Sequence, residues 1–135
     1  MAKLDELINK IISKIEITTD RVIFTTLSDE KDKYNVLKDG LVYHAYHNQD
    51  CCEDVFLEKV IGSITNILIS PVLSTDEKAD SINHPEDYIE NIEDSQESFT
   101  WTYHTIRTKN GEVTFRWLGT SNGYYGESVY FGLGQ

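Results

Sequence analysis

Residues 103–118 read YHTIRTKNGEVTFRWL, and this stretch decides the fold. The pair Asn110-Gly111 separates two runs in which polar and apolar side chains alternate. A two-residue type I′ turn requires positive φ at both of its central residues, and Asn and Gly adopt positive φ readily. Asn-Gly is therefore the strongest short-range signal for this turn. The stretch therefore predicts an antiparallel hairpin in which Arg107 faces Thr114.

The alternation sorts the side chains of the hairpin onto two faces of a sheet. One face is apolar and is the predicted core face. It carries Ile106, Val113, Phe115 and Trp117. The opposite face carries aromatic rings and arginines, namely Phe99, Trp101, Tyr103, Arg107 and Arg116. In the predicted register Arg107 and Arg116 are diagonal neighbours, roughly 7 Å apart, outside the packed interior.

Two guanidinium groups at that spacing are within reach of one anion, and each offers a planar fork that matches phosphate oxygens. The neighbouring rings offer a surface on which a base can stack. Residues 119–127, GTSNGYYGE, then add small and hydrogen-bonding groups that a ligand can approach closely. The pattern favours a nucleotide site. The predicted ligand-binding residues are Phe99, Trp101, Tyr103, Arg107, Arg116, Asn122, Tyr124 and Tyr125.

Other interpretations of the same residues stay open. Either arginine can pair with an acidic residue of the predicted loop at about 75–97, or lie flat over an exposed tryptophan. An exposed aromatic face is also typical of an oligomer interface. Residues 119–127 can be a tight turn into a final strand at 128–131.

The chain length of 135 residues fits a single domain, residues 1–135. Short helices are predicted near residues 3–9 and 64–68. Strand-like runs occupy residues 11–17, 22–27, 34–37, 41–46, 55–57 and 128–131, besides the hairpin. Asp39-Gly40 reads as a further hairpin turn. We expect an α+β domain, mainly an antiparallel sheet of six or seven strands with one or two short helices. A small, partly open barrel is the alternative.

Charge narrows the possible partners. Twelve basic against twenty-three acidic residues give a net charge of -11, which argues against general DNA binding. No apolar run approaches the roughly 20 residues of a membrane span, and the N-terminus lacks a signal-peptide pattern, so we expect a cytoplasmic protein without a membrane partner.

Residues 76–97 hold nine acidic residues and one basic residue, which predicts an acidic surface loop at about 75–97. Carboxylates spaced along a surface imitate the field of DNA. An acidic inhibitor that masks a host nucleic-acid-binding protein is therefore an alternative function.

A second unusual stretch is HNQDCCE, residues 47–53. Its side chains are of the types that bind metals, but adjacent cysteines on an extended segment point to opposite faces. An adjacent pair also closes too small a ring for a disulfide to remove much chain entropy. We expect no metal, no cofactor and no stabilising disulfide. A metal or thiol site built on the segment from His47 to Cys52 is the alternative.

Four segments carry a resemblance to known proteins: HNQDCCE (47–53), SFTWT (98–102), RWLG (116–119) and SNGYY (121–125). They resemble the signatures of a small phage and prophage family whose members are mostly domains of unknown function. The likeness covers most of the chain. The size, the phage setting and the aromatic-arginine half are also similar to the Thoeris anti-defence sponge proteins. Those proteins bind a cyclic ADP-ribose-type immune signal, and in some members cyclic oligonucleotides, without cleaving it, and they assemble as dimers and higher oligomers.

The resemblance implies a function that is not enzymatic. The protein is expected to sequester a small cyclic nucleotide in the cytoplasm of an infected bacterial host, as a homo-oligomer. The hairpin pattern, and not the resemblance, assigns the contacts: Arg107 and Arg116 would hold phosphate. The base would stack on Phe99, Trp101 and Tyr103, and the remaining hydrogen bonds would come from Asn122, Tyr124 and Tyr125.

Overall fold

The computed structural model describes residues 3–48, 52–88, 98–121 and 126–134. Within these ranges the chain forms a short 3-10 helix, eight strands and one short α-helix. In chain order they are the 3-10 helix (Leu4–Leu7), β1 (Ile12–Ile17), β2 (Arg21–Lys31), β3 (Leu37–Tyr46), β4 (Glu53–Gly62), α1 (Ile64–Ile67), β5 (Ser74–Asp80), β6 (Ser98–Thr108), β7 (Gly111–Ser121) and β8 (Tyr130–Leu133). No helix in the described part of the chain is long and apolar enough to cross a membrane.

The strands form two antiparallel sheets of four strands each, in the orders β1-β2-β3-β8 and β4-β7-β6-β5. One apolar cluster takes side chains from both sheets. Phe24 of β2 and Phe115 of β7 meet edge to face, with ring centroids 5.5 Å apart. The sheets therefore pack face to face as a sandwich. The predicted class, α+β and mainly antiparallel, is confirmed, and two separate sheets take the place of the barrel alternative.

The predicted core face of the hairpin is buried. Ile106, Val113 and Phe115 are 0% exposed and Trp117 is 2% exposed. Their two-residue period puts them on the side of the sheet that faces the other sheet. The 3-10 helix and α1 add Leu4, Leu7 and Ile67 to the same cluster.

The predicted turn at Asp39-Gly40 is wrong, because β3 runs through both residues. The chain reverses earlier, where Asp32 Oδ1 accepts the backbone N–H of Tyr34 at 2.8 Å and of Val36 at 3.1 Å. An aspartate that bonds the backbone two residues on favours a turn there. Gly40 instead permits a close approach of β2, since a Cβ on it would lie 3.0 Å from the backbone nitrogen of Ser28.

The acidic segment is also partly different from the prediction. Residues 74–80 form the edge strand β5, which pairs with β6 from Ser74↔Arg107 to Asp80↔Trp101. Charged side chains are typical of edge strands, because they oppose pairing with another chain. Residues 81–88 follow as turns and irregular chain, and residues 89–97 of the predicted loop lie outside the described residues.

Candidate functional site

The hairpin of β6 and β7 forms, but its register differs from the prediction. Thr108 faces Gly111, so the two turn residues are Lys109 and Asn110. Gly111 has φ 147°, a conformation that favours glycine, and the backbone N–H of Asn110 donates to Thr108 Oγ1 at 3.1 Å. Each residue's partner shifts by two positions. Because the side-chain period of a strand is also two, every side chain keeps its predicted face.

The corrected register separates the two arginines. Arg116 faces Tyr103, and Arg107 faces Glu112 instead of Thr114. Arg107 is therefore four residues along β6 from the position opposite Arg116, which is about 13 Å of strand. The prediction that the two arginines are diagonal neighbours around one anion is wrong.

Arg116 is the centre of a buried ion-pair network, and its side chain is 4% exposed. Its Nε and Nη2 donate to Glu58 at 2.6 and 3.0 Å, and Nη1 and Nη2 donate to Asp87 at 2.8 and 3.3 Å. The guanidinium also lies 5.2 Å from the ring centroid of Trp101. The hydrogen bonds to Glu58, followed by those to Asp87, raise the pKa of Arg116. Those from Arg116 and Lys59 hold the pKa of the Asp87 carboxyl well below its usual range.

Residues 81–88, here called the covering segment, lie over this part of the face. The ring of His84 stacks on Phe99 with centroids 4.0 Å apart and on Tyr88 at 5.0 Å. Trp101 Nε1 donates to His84 Nδ1 at 3.0 Å. Trp101 is 0% exposed. The face was predicted to lie outside the packed interior, and at Trp101 that prediction is wrong because the chain covers itself.

Local hydrogen bonds shape the covering segment. Asp80 Oδ1 accepts the backbone N–H groups of Ile82 at 2.9 Å and of Asn83 at 3.0 Å, which turns the chain as it leaves β5. These hydrogen bonds lower the pKa of the Asp80 carboxyl. A second turn follows, in which the backbone N–H of Tyr88 donates to the carbonyl oxygen of Pro85 at 3.0 Å. The two turns bring the segment back across β6.

Arg107 and Tyr103 occupy the other, more open part of the face. The Arg107 side chain is 40% exposed, donates to Glu112 at 2.9 Å and lies 3.8 Å from Asp76. The ammonium of Lys78 lies 6.0 Å from the ring centroid of Tyr103. Burial raises the pKa of the Tyr103 hydroxyl. Both arginines of the face thus bind carboxylates of the chain itself. The alternative that they pair with the acidic segment holds for Asp76 and Asp87, whereas Glu112 and Glu58 lie outside that segment.

The predicted site residues divide into three groups. Phe99, Trp101 and Arg116 lie together under the covering segment, while Tyr103 and Arg107 share their face but lie further along it toward the turn. Asn122, Tyr124 and Tyr125 lie outside the described residues. His84 and Glu58 were not predicted. Asp87 was covered only by the alternative in which an arginine pairs with a carboxylate of the acidic segment.

His47 of the second unusual stretch is buried at the end of β3. One ring nitrogen, Nδ1, donates to the carbonyl oxygen of Ser128 at 2.6 Å, and Nε2 lies 3.1 Å from Glu53 Oε1. The ring also lies parallel to Tyr130, with centroids 5.9 Å apart. Within the described ranges, no group of three histidine, cysteine or acidic side chains is arranged to hold a metal ion.

The cysteine prediction needs a correction. We expected no stabilising disulfide, but Cys52 is disulfide-bonded. A small ring limits the entropy that a disulfide removes from the unfolded chain, but it does not prevent the bond from forming. Cys51 lies outside the described residues.

A further buried carboxylate was missed by the sequence reasoning. Glu127 is 8% exposed and accepts hydrogen bonds from Ser98 at 3.1 Å, Thr100 at 2.9 Å and Ser121 at 2.6 Å. Gly119 makes room for it, since a Cβ there would lie 2.5 Å from the carbonyl oxygen of Glu127. The signal was present in the alternation, which puts these three hydroxyl groups on the inner face of the hairpin.

The fold and this face define a small antiparallel β-sandwich domain in which the chain itself covers the part of the aromatic-arginine surface around Phe99, Trp101 and Arg116. The chain belongs to the DUF7448 family, a domain of unknown function, which matches residues 5–131. No curated protein and no solved structure matches the chain.

Proposed function

We propose that the protein is a non-catalytic, phage-type anti-defence protein that binds and sequesters a small cyclic nucleotide of the cyclic ADP-ribose type. It acts in the cytoplasm of an infected bacterial host and as a homo-oligomer. The ligand site is the outer face of β6 and β7 around Phe99, Trp101 and Arg116. The observation that carries the proposal is the covering segment, which holds a heteroaromatic ring and an anionic group against this face. A nucleotide presents the same two groups.

The ring of the covering segment sits where a base would stack. The imidazole of His84 is a planar nitrogen heterocycle, tilted by 23° from the plane of Phe99 with centroids 4.0 Å apart. Its Nδ1 accepts a hydrogen bond from the indole of Trp101. A nucleobase has the same combination of a flat π surface and ring nitrogens that accept hydrogen bonds. If a nucleobase replaces the imidazole of His84, one of its ring nitrogens can accept the hydrogen bond of the Trp101 indole N–H.

The carboxylate of the covering segment sits where a phosphate would bind. Asp87 accepts from Arg116 at 2.8 Å and from Lys59 at 2.7 Å. A phosphate group offers the same acceptor oxygens to these two cations, and guanidinium groups bind phosphate and carboxylate in the same planar geometry. The Asp87 side chain is 47% exposed, so a ligand can replace it from solvent without opening the core. After Asp87 has been replaced, the hydrogen bonds from Arg116 to Glu58 still keep the guanidinium in position.

The covering segment is then an intramolecular competitor of the ligand. His84 and Asp87 lie three residues apart in one short segment, so one small molecule can span both contacts. The measured affinity of the protein is reduced by the fraction of molecules in which the segment occupies the face. Weakening the segment's contacts is therefore expected to strengthen ligand binding, which is the opposite of what loss of an ordinary binding residue does.

Calorimetry with a panel of cyclic nucleotides, including cyclic ADP-ribose, tests this proposal. The double variant His84→Ala with Asp87→Asn is expected to bind several-fold more tightly than the parent. Phe99→Ala is expected to bind about tenfold or more weakly, because stacking on one ring contributes about 1–3 kcal/mol. Tyr34→Ala is the control, since this tyrosine is 72% exposed in the turn between β2 and β3 and should not change binding. Chromatography of the recovered ligand is expected to return it intact.

Two results would contradict the proposal. One is that no nucleotide of the panel binds to either the parent or the double variant. The other is that the double variant binds as weakly as the Phe99→Ala variant, which would make the covering segment a part of the fold and not a competitor.

A further inference from the structure

The strand β8 is an edge strand of the first sheet, and one of its two sides is open. It pairs with β3 over all of Tyr130–Leu133 in an unbroken register, and no other strand of the described residues pairs with it. The ladder continues one residue past β8, since the backbone N–H of Gly134 donates to the carbonyl oxygen of Val42 at 2.7 Å. The open side of an edge strand offers backbone groups with which another chain can pair.

The pairing with β3 identifies the backbone groups on the open side. In an antiparallel pair, every second residue exchanges hydrogen bonds with the neighbouring strand. Because the N–H of Gly134 bonds to β3, Gly132 and Tyr130 bond to β3 as well. The N–H and C=O groups of Phe131 and Leu133 therefore point to the open side, where they present two donors and two acceptors.

The other three edge strands carry features that oppose such pairing. Four of the seven residues of β5 are charged. β1 holds charged residues and a register shift between Ile12 and Lys14. β4 also holds charged residues, and its register shifts between Leu57 and Lys59. Charges and bulges are usual means by which proteins keep edge strands from pairing with other chains, and β8, with the sequence YFGL, has neither.

Charge decides which partner suits this edge. Two copies of a chain with net charge -11 repel each other, so a contact between them is favoured where carboxylates are absent. Residues 128–134, SVYFGLG, contain no charged residue, and pairing here places no like charges opposite each other. A charged peptide would find no complementary charge on this strand. A second copy of the chain is therefore the partner that the edge fits.

Apolar side chains are exposed beside the same edge. Leu133 of β8 is 55% exposed, and Leu41 of β3 is 52% exposed. Together with Val42 and Gly134 they line an open cavity of about 370 Å³ at the end of β8. A strand of four residues makes few hydrogen bonds, so a stable pairing also needs apolar surface to bury, and this edge provides it.

We propose that two copies of the chain pair through β8, antiparallel and about a two-fold axis at Gly132. Phe131 of each copy lies opposite the partner's Leu133, so that all four open N–H groups of the pair bond to carbonyl oxygens. Tyr130 of each copy lies opposite the partner's Gly134, and an aromatic ring covers backbone that a glycine leaves bare. The two four-stranded sheets join into one sheet of eight strands. This inference rests on the homo-oligomer of the proposed function and names its contact.

Analytical ultracentrifugation of the full chain without nucleotide tests the proposal. The parent is expected to be a dimer that dissociates on dilution. Leu133→Lys is expected to raise the dissociation constant by about tenfold or more, because apolar contact is lost at two symmetric places and a charge lies in each. Ile17→Lys is the matched control, since Ile17 is 47% exposed on β1, the other edge strand of the same sheet, and should leave the dissociation constant unchanged. The Tm of the dilute protein shows whether both variants fold.

Amide hydrogen exchange followed by ¹⁵N–¹H NMR locates the contact. At a concentration where the parent is dimeric, the N–H of Phe131 is expected to exchange several-fold more slowly in the parent than in Leu133→Lys. The N–H of Gly134, which bonds to β3 in either state, should change much less.

Three results would overturn the proposal: a parent that is monomeric at every concentration, an oligomer that Leu133→Lys leaves intact, or exchange at Phe131 that is equal in the parent and this variant. The first result would also contradict the homo-oligomer of the proposed function, whereas the other two would contradict the β8 contact alone. None of them bears on nucleotide binding, because the nucleotide is absent and its proposed site lies on the other sheet.

Discussion

Arg116 and Arg107 lie on the same face of the same hairpin, and substituting each with methionine is expected to give very different results. Arg116 is 4% exposed and bound to Glu58, whereas Arg107 is 40% exposed and bound to Glu112. Methionine keeps most of the apolar stem of either side chain, so that the comparison isolates the charged group. We expect Arg116→Met to destabilise the fold strongly and Arg107→Met to do so hardly at all.

The magnitudes follow from burial. Removal of one partner from a buried ion pair costs about 3–5 kcal/mol. The Glu58 side chain is 22% exposed, so water partly solvates it after the loss of Arg116, and we expect about 3 kcal/mol. An exposed pair such as Arg107 with Glu112 contributes about 0–1 kcal/mol. For a domain of this length, these values correspond to a fall in Tm of about 10 °C for Arg116→Met and less than about 4 °C for Arg107→Met.

Urea and thermal unfolding followed by circular dichroism measure both variants. A double-mutant cycle with Glu58→Gln isolates the pair, and we expect a coupling free energy above about 1 kcal/mol. Equal losses for the two arginine variants would refute the reasoning. So would a cycle in which Arg116 and Glu58 act independently, since the buried contact would then contribute nothing of its own.

Two further predictions concern Gly119 and Asp87. Gly119→Ala is expected to cost about 2–3 kcal/mol, because the new Cβ would lie 2.5 Å from the carbonyl oxygen of Glu127. Gly132→Ala, where a Cβ would meet nothing within 4 Å, should change the free energy of unfolding by less than about 0.5 kcal/mol. Equal costs for the two glycine variants in urea unfolding would contradict the packing account. The pKa of Asp87 is lower in the folded protein than in the unfolded chain, because Arg116 and, to a smaller extent, Lys59 donate hydrogen bonds to the carboxylate. The ionised carboxylate therefore stabilises the fold fully above about pH 4, and this contribution is lost as the pH falls further. The difference in unfolding free energy between the parent and Asp87→Asn should therefore shrink below about pH 4, and a difference independent of pH would show that the carboxylate is not held by the two cations.

The faces of the hairpin could be predicted from the sequence, because they depend only on the two-residue period of a strand. Ile106, Val113 and Phe115 are in the core as that period requires. The register depended on finer detail. Asn-Gly predicted a turn at Asn110-Gly111, but the Thr108 hydroxyl binds the backbone N–H of Asn110 and Gly111 enters the strand. A shift by two positions keeps every side chain on its face but changes every cross-strand partner. The predicted faces are therefore correct, whereas the predicted proximity of Arg107 and Arg116 is wrong.

Burial of the aromatic face could not be predicted, because the groups that cover it are distant in sequence. Glu58 reaches Arg116 across 58 residues, and His84 reaches Trp101 across 17. Such contacts depend on the pairing of β4 with β7 and on the path of the covering segment, and neither alternation nor turn chemistry predicts these. The inner polar side chains were visible in the alternation around Thr100, Thr102 and His104.

The central claim is that the chain itself occupies the aromatic-arginine face and gives way to a nucleotide. Nuclear Overhauser effects between the ring protons of His84 and those of Phe99 test it most directly, because the two centroids lie 4.0 Å apart in the free protein. The account predicts strong effects in the free protein and their disappearance as cyclic ADP-ribose, or another cyclic nucleotide that binds, approaches saturation. Effects that persist unchanged in the nucleotide-saturated protein, or that are absent from the free protein, would contradict it.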